Sequence, residues 1–147
     1  MRWLFLFLAT PAAAWDFAPG LPCLLTHEEP GLEVLLTHDP TQPLYSITLT
    51  RSQPWGAGDV FSIAFDNGPT ISTSRQERSA DGRALTVSDA GFGNVIAGII
   101  AGGTATAILG DDSVSFSLSD AAEPTLNYAR CEPVASASLT WARHPAT

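Results

Sequence analysis

Apolar and polar residues alternate with a period of two along most of this chain. Residues 24–28 and 33–39 are strand-like runs on either side of Glu29-Pro30-Gly31-Leu32, where Pro-Gly supplies a turn. Tyr45-Ser46-Ile47-Thr48-Leu49-Thr50 alternates cleanly, as do residues 60–65 and Thr70-Ile71-Ser72-Thr73-Ser74, while Leu85-Thr86-Val87 follows an Asp81-Gly82 turn. Short strands at intervals of roughly 8 to 12 residues, separated by Gly, Pro, Asn and Asp, predict antiparallel strands with one face buried, arranged as a sandwich or a rolled sheet.

The period then becomes helical. Phe92, Val95, Ile96, Ile99 and Ile100 recur on one face, with Asp89 as the expected cap and Gly102-Gly103 as the stop. Gly91, Gly93 and Gly98 weaken such a helix by up to about 1 kcal/mol each, so packing against the sheet must hold it. A second hairpin is expected from residues 104–109 and 113–118 around Gly110-Asp111-Asp112, and a second short helix with Pro124 in its first turn, Leu126 facing inward and Cys131 at its end. The fold class is therefore α+β and mainly β, an antiparallel sandwich or rolled sheet with two short C-terminal helical segments. Residues 132–147 are rich in Ala, Ser, Thr and Pro and are expected to form a flexible tail.

One phrase occurs twice: Leu24-Leu25-Thr26-His27-Glu28 and, eleven positions on, Leu35-Leu36-Thr37-His38-Asp39. If the turn pairs Glu29 with Leu32, then Leu25 faces Leu36, His27 faces Val34 and Cys23 faces His38, all on one side of the hairpin. The two histidines then stand four residues out of step, roughly 13 Å at the usual strand rise. No single metal ion bridges that gap, because zinc–nitrogen bonds are about 2 Å. His27 and His38 are thus expected to bond neighbouring backbone or water, and remain weak candidates for chemistry.

The first fourteen residues change the picture of where the chain works. Arg2 precedes an unbroken apolar run, and Pro11-Ala12-Ala13-Ala14 places small residues where a secretory peptidase cuts. Residues 1–14 are read as a signal peptide, 15–131 as one β-rich domain, and the destination as the periplasm or the exterior. The apolar run is far short of the roughly 20 residues a membrane span needs, so no membrane insertion is expected after cleavage. Loss of Arg2 takes the formal charge from −8 to −9, with no lysine anywhere. Such a chain has no basic stripe with which to release counterions from a phosphate backbone, which disfavours nucleic-acid partners. In an oxidising compartment Cys23 and Cys131 are expected to form one structural disulfide, since neither the Cys-x-x-Cys spacing nor the electropositive setting of a redox pair is present.

Motifs for catalysis are sparse. Gly91-Phe92-Gly93-Asn94 lacks the spacing of a dinucleotide loop and is expected to mark close packing at the helix start; no P-loop and no Gly-x-Ser-x-Gly elbow occurs. Asp111-Asp112 and Glu28-Glu29 fall at turns and lack the further oxygen ligands of a calcium loop. No catalytic residue, metal or cofactor is assigned. Trp55, in Gln53-Pro54-Trp55-Gly56, is a possible contact residue or a lid over the sheet end.

Trp15-Asp16-Phe17, Pro22-Cys23-Leu24-Leu25-Thr26-His27-Glu28, Pro43-Leu44-Tyr45-Ser46-Ile47-Thr48, Pro54-Trp55, Thr70-Ile71-Ser72-Thr73, Asp89-Ala90-Gly91-Phe92-Gly93-Asn94-Val95 and Thr104-Ala105-Thr106-Ala107 resemble a family of small exported proteins of Gram-negative bacteria. The resemblance spans most of the chain that follows the expected leader. Some members are labelled as the helicase component of the excinuclease ABC repair system, but a repair helicase needs a Walker nucleotide site and a nucleic-acid path, and neither is written in this chain. Phe116-Ser117-Leu118, the short helix and Cys131 are more weakly similar to the invasion-associated locus B group of periplasmic proteins, a likeness at the level of fold. The family brings no established active site. The expectation is a binding or accessory module, an inhibitor or envelope-protein partner among its forms, with a small periplasmic hydrolase using His27 or His38 as the alternative. The sequence leaves the ligand and the oligomeric state open.

Overall fold

In the computed structural model, which describes residues 14–131, ten strands and two helices share one hydrophobic core. The leader expected over residues 1–14, apart from Ala14, and the tail expected over 132–147 lie outside the described residues.

The repeated phrase is a hairpin of β2 (Cys23–Glu29) and β3 (Leu32–Asp39). Its turn combines the fixed negative φ of Pro30 with a φ of +81° at Gly31, the combination of a type II turn. The register is the expected one, with Cys23 opposite His38, Leu25 opposite Leu36, His27 opposite Val34 and Glu29 opposite Leu32. Because side chains alternate with period two, this pairing sends Leu25, Val34 and Leu36 into the core together. β1 (Trp15–Ala18) extends the hairpin on one side; β4 (Leu44–Arg51), β8 (Ala84–Asp89) and β7 (Glu77–Arg78) extend it on the other, giving the order β1-β2-β3-β4-β8-β7.

A second antiparallel sheet takes β5 (Phe61–Phe65), β6 (Thr70–Thr73), β9 (Thr104–Leu109) and β10 (Asp112–Ser117) in the order β10-β9-β5-β6. Phe61, Ile63, Phe65, Ala105, Ala107 and Leu109 face Leu25, Leu36, Ile47 and Leu49 of the first sheet across the core. The β9–β10 turn has a φ of +59° at Gly110, the position that lets a two-residue connection follow the strand twist. β10 lies across the strand ends of the larger sheet. Its Asp112 reaches Arg51 of β4, and five residues later its Ser117 reaches Glu29 of β2 and Trp15 of β1. Five residues of strand span about 16 Å and three strand spacings about 14 Å, so the two sheets cross rather than align.

Helix α1 (Gly93–Ile100) buries Val95, Gly98 and Ile99. Asp89, the expected cap, is instead the last residue of β8; the N-cap is Phe92, without a side-chain bond, and the Asp89 carboxylate accepts the Ala90 N–H. The close glycine contact also lies elsewhere than expected. A Cβ at Gly91 or Gly93 would meet nothing within 4 Å, whereas one at Gly98 would sit 2.4 Å from the Phe65 ring. Helix α2 (Ala122–Ala129) turns Thr125 and Tyr128 inward and leaves Leu126 39% exposed, reversing the expected face. The Tyr128 hydroxyl donates to the Thr37 carbonyl at 2.8 Å, which seats that end of the helix on β3. The disulfide joins Cys23, at the start of β2, to Cys131, just beyond α2. No helix among the described residues is long and apolar enough to cross a membrane.

Candidate functional site

Both histidines point into the protein. His27 is 2% exposed and stacks on Trp15 with ring centroids 4.5 Å apart and planes within 5°. Its Nε2–H donates to Glu29 Oε2 at 2.7 Å, and its Nδ1 lies 3.4 Å from the Ala14 carbonyl. The same Glu29 oxygen accepts the Ser117 N–H at 2.7 Å, and the Trp15 indole N–H donates to the Ser117 carbonyl at 3.0 Å. A histidine–carboxylate pair therefore exists, but it is used to fasten β2 to β10. His38 is buried between Tyr45, stacked at 4.0 Å, and the edge of Tyr128 at 5.9 Å. Neither imidazole lines the cavity at the start of α1 or the one between β1 and α2. Among the described residues, no three His, Cys, Asp or Glu side chains are grouped so as to hold a metal ion.

The Trp55 loop has a different character. Trp55 itself is 3% exposed, so its indole is a packing side chain and not a surface for a partner. It meets Phe61 edge to face at 6.1 Å, its indole N–H reaches the Leu49 carbonyl at 3.3 Å, and the Arg51 guanidinium carbon lies 4.7 Å above its ring centroid. Its neighbours Gln53, Pro54, Gly56, Ala57 and Gly58 are all exposed. Exposure here does not mean freedom. The Trp55 N–H donates to the Gly82 carbonyl; Arg78 donates to the Trp55 and Gly56 carbonyls at 2.7 Å each; and the Gly56 N–H donates to Asp112 Oδ2 at 2.8 Å. Asp112 also accepts from Arg51. The Gly56 N–H and the Arg51 guanidinium hold the Asp112 carboxyl below the usual carboxylate range.

The far side of the loop packs backbone to backbone on the β9–β10 turn, where a Cβ at Gly58 would stand 2.7 Å from the Gly110 nitrogen and one at Gly110 would stand 2.4 Å from the Ala57 carbonyl oxygen. Only glycine permits that approach. Apart from the buried Trp55, the loop 53–58 is thus an exposed ridge, small-sided over Gly56-Ala57-Gly58, whose backbone is fixed from three directions. Asp59 and Asp111 are exposed beside it and form no ion pair among the described residues.

Sequence reading picked out the loop but not its fasteners. Arg51 and Asp112 are 61 residues apart, and no local pattern links them; nor does any local pattern tie Arg78 to the loop it fastens 22 and 23 positions away. The one available signal was the pair of glycines, Gly56 and Gly58, around a single alanine. No protein-family model matches the chain, and no curated protein and no solved structure was found to be similar to it.

Proposed function

We propose that this chain is an exported binding or accessory module that engages an envelope protein through the loop 53–58, in its sharpest form as an inhibitor whose ridge inserts into a basic cleft. The observation that carries this reading is the combination of exposure with fixation. A loop already held in one shape loses little conformational freedom on association, and that saving becomes affinity. The exposed acids Asp59 and Asp111 flank the ridge and suit a basic partner. Export to the periplasm or the exterior is supported by the leader pattern of residues 1–14 and is in keeping with the Cys23–Cys131 disulfide. The resemblance to exported Gram-negative proteins points the same way.

The competing reading is a small periplasmic hydrolase, and the 2.7 Å contact between His27 and Glu29 is what favours it. Against it, a general base must reach a substrate, and His27 is buried under Trp15 with its Nε2–H committed to a carboxylate that also bonds β10. Affinity capture of the tagged, exported protein decides between them when wild type is compared with Ala57→Arg and with His27→Ala/His38→Ala. The binding reading expects a partner retained by the histidine variant and lost with Ala57→Arg, which alters the ridge without touching its fasteners. A partner indifferent to Ala57→Arg removes the loop from the reading. Activity on a screened ester or peptide that vanishes in the histidine variant replaces it with the hydrolase.

A further inference from the structure

A separate concavity opens where the two sheets part, on the side away from β10. β7 pairs only with Thr86 and Leu85 of β8, so Val87, Ser88 and Asp89 continue past it without a strand on their outer side, and β6 is the last strand of its own sheet. Between these two edges and the start of α1 lies a cavity of about 420 Å³, within the size range of small-ligand sites. Its floor is apolar and drawn from both sheets and the helix: Phe61 and Ile63 from β5, Ile47 from β4, Val95 from α1. Ile71 and Val87 stand on opposite sides of it, packed against the core yet only partly covered. A ligand lying between them would remove that remaining apolar surface from water.

The rim gives the ligand a direction. Arg75 stands on it, in the crossover from β6 to β7. Among the described residues Arg51, Arg78 and Arg83 each have a side-chain hydrogen-bond partner, whereas Arg75 and Arg130 have none; of these two Arg75 is the one that lines the groove, its backbone N–H engaged by Thr73 Oγ1. Ser72, Ser88 and Asn94 add neutral polar groups to the same rim. The opposing acid, Asp89, is turned onto its own chain, where Oδ1 accepts the Ala90 N–H. In a chain of formal charge −8, a free guanidinium at an apolar mouth is where a single anionic group is met by attraction. The loop 53–58 contributes nothing to this cavity.

We propose that this groove binds a small amphiphile with an apolar body and one anionic head, its tail between Ile71 and Val87 and its head on Arg75. The site stands independently of the loop, and either one holds if the other fails. Isothermal titration of the purified protein with octanoate, octan-1-ol and octylamine, three ligands of equal tail and different head, tests it. The expected result is saturable one-to-one binding of octanoate, weaker binding of the alcohol by roughly tenfold or more, and weaker binding still of the amine. Arg75→Gln, at an exposed position with no side-chain hydrogen bond or ion pair to lose, is expected to bring octanoate down to the level of the alcohol. Ile71→Asp is expected to abolish all three; if it lowers the melting temperature, Val87→Thr serves as the milder change and weakens acid and alcohol in parallel. Absence of saturable binding, equal binding of the three heads, or an octanoate preference that survives Arg75→Gln would overturn the proposal.

Discussion

The two ends of the larger sheet are closed by opposite means. At the end marked by the Pro30-Gly31 turn, closure is polar and atom-specific: Glu29 takes His27 and Ser117, Trp15 takes the Ser117 carbonyl, and Asp112 takes Arg51 and the Gly56 N–H. At the other end closure is apolar and covalent. His38, Tyr45, Phe92 and Tyr128 pack ring on ring beneath the helices, with the Cys23–Cys131 bond beside them. His38 Nδ1 and Thr125 Oγ1 lack a hydrogen-bond partner among the described residues there, and the Tyr128 hydroxyl is buried deeply enough that its pKa is pushed up. Directional bonds fix geometry, and they lie where an exposed loop must keep its shape. Burial and a cross-link supply stability with little regard to angle, and the groove opens beside them, with Phe92 common to both.

Reducing the disulfide breaks the comparison most severely. Its two cysteines are separated by 108 positions, and closing such a loop contributes about 4 to 5 kcal/mol in the chain-entropy picture. Chemical denaturation with and without reductant should show a loss of that order, and the Cys23→Ala/Cys131→Ala protein should match the reduced form. A smaller but more local loss is expected at the polar end. Glu29→Ala leaves the buried His27 Nε2–H and the Ser117 N–H without their acceptor, at a cost of about 2 to 3 kcal/mol. Glu29→Gln keeps an acceptor oxygen and should recover more than half of it in the same denaturation experiment.

Next in size comes the helix that borders the groove. A methyl group at Gly98 would lie 2.4 Å from Phe65, so Gly98→Ala sets an overpacking cost of about 1 to 3 kcal/mol against a helix-propensity gain of up to about 1. A net loss of about 1 to 2 kcal/mol is expected in thermal melts. Gly93→Ala, in the first turn of the same helix with nothing within 4 Å, should leave stability unchanged or raise it by a few tenths. If both glycines respond alike, the intimate contact between α1 and β5 is not what holds the helix.

What could be read from the sequence divides along the same line. The hairpin of β2 and β3, its register included, follows from period two and a Pro-Gly turn, both local signals. The disulfide follows from a leader-like first fourteen residues and from having two cysteines, and α1 from its 3.6 period. The polar end was illegible because its partners meet only after folding: Arg51 needs Asp112, and Glu29 needs Ser117, 88 positions away. β7, with two residues, is too short to show a period. Trp55 reads as a loop residue because its neighbours are turn formers, yet a buried slot between Arg51 and Phe61 claims its indole. Leu126 was expected inside on hydrophobicity alone. The interior position goes to Tyr128, whose ring joins the aromatic cluster and whose hydroxyl reaches the Thr37 carbonyl, an opportunity a leucine lacks.

The smallest predicted effect is also the one that most directly tests the polar end as a holder of shape. Asp112 is held ionised by the Gly56 N–H and Arg51, so its folded pKa lies below its unfolded value of about 3.9. A depressed carboxylate pKa contributes stability that is present above the unfolded value and disappears as the pH falls through the folded one. Asp112→Asn should therefore cost about 1 kcal/mol at pH 7, and the gap between variant and wild type should close as the pH drops below about 4. Amide hydrogen exchange gives the sharper measurement. The Gly56 N–H, protected by Asp112 in the wild type, should exchange faster in the variant, while the amides of the β2–β3 ladder keep their protection. Loosening of the whole sheet, in place of this one loop, would mean that the Asp112 bond supports the fold and does not specifically shape the ridge.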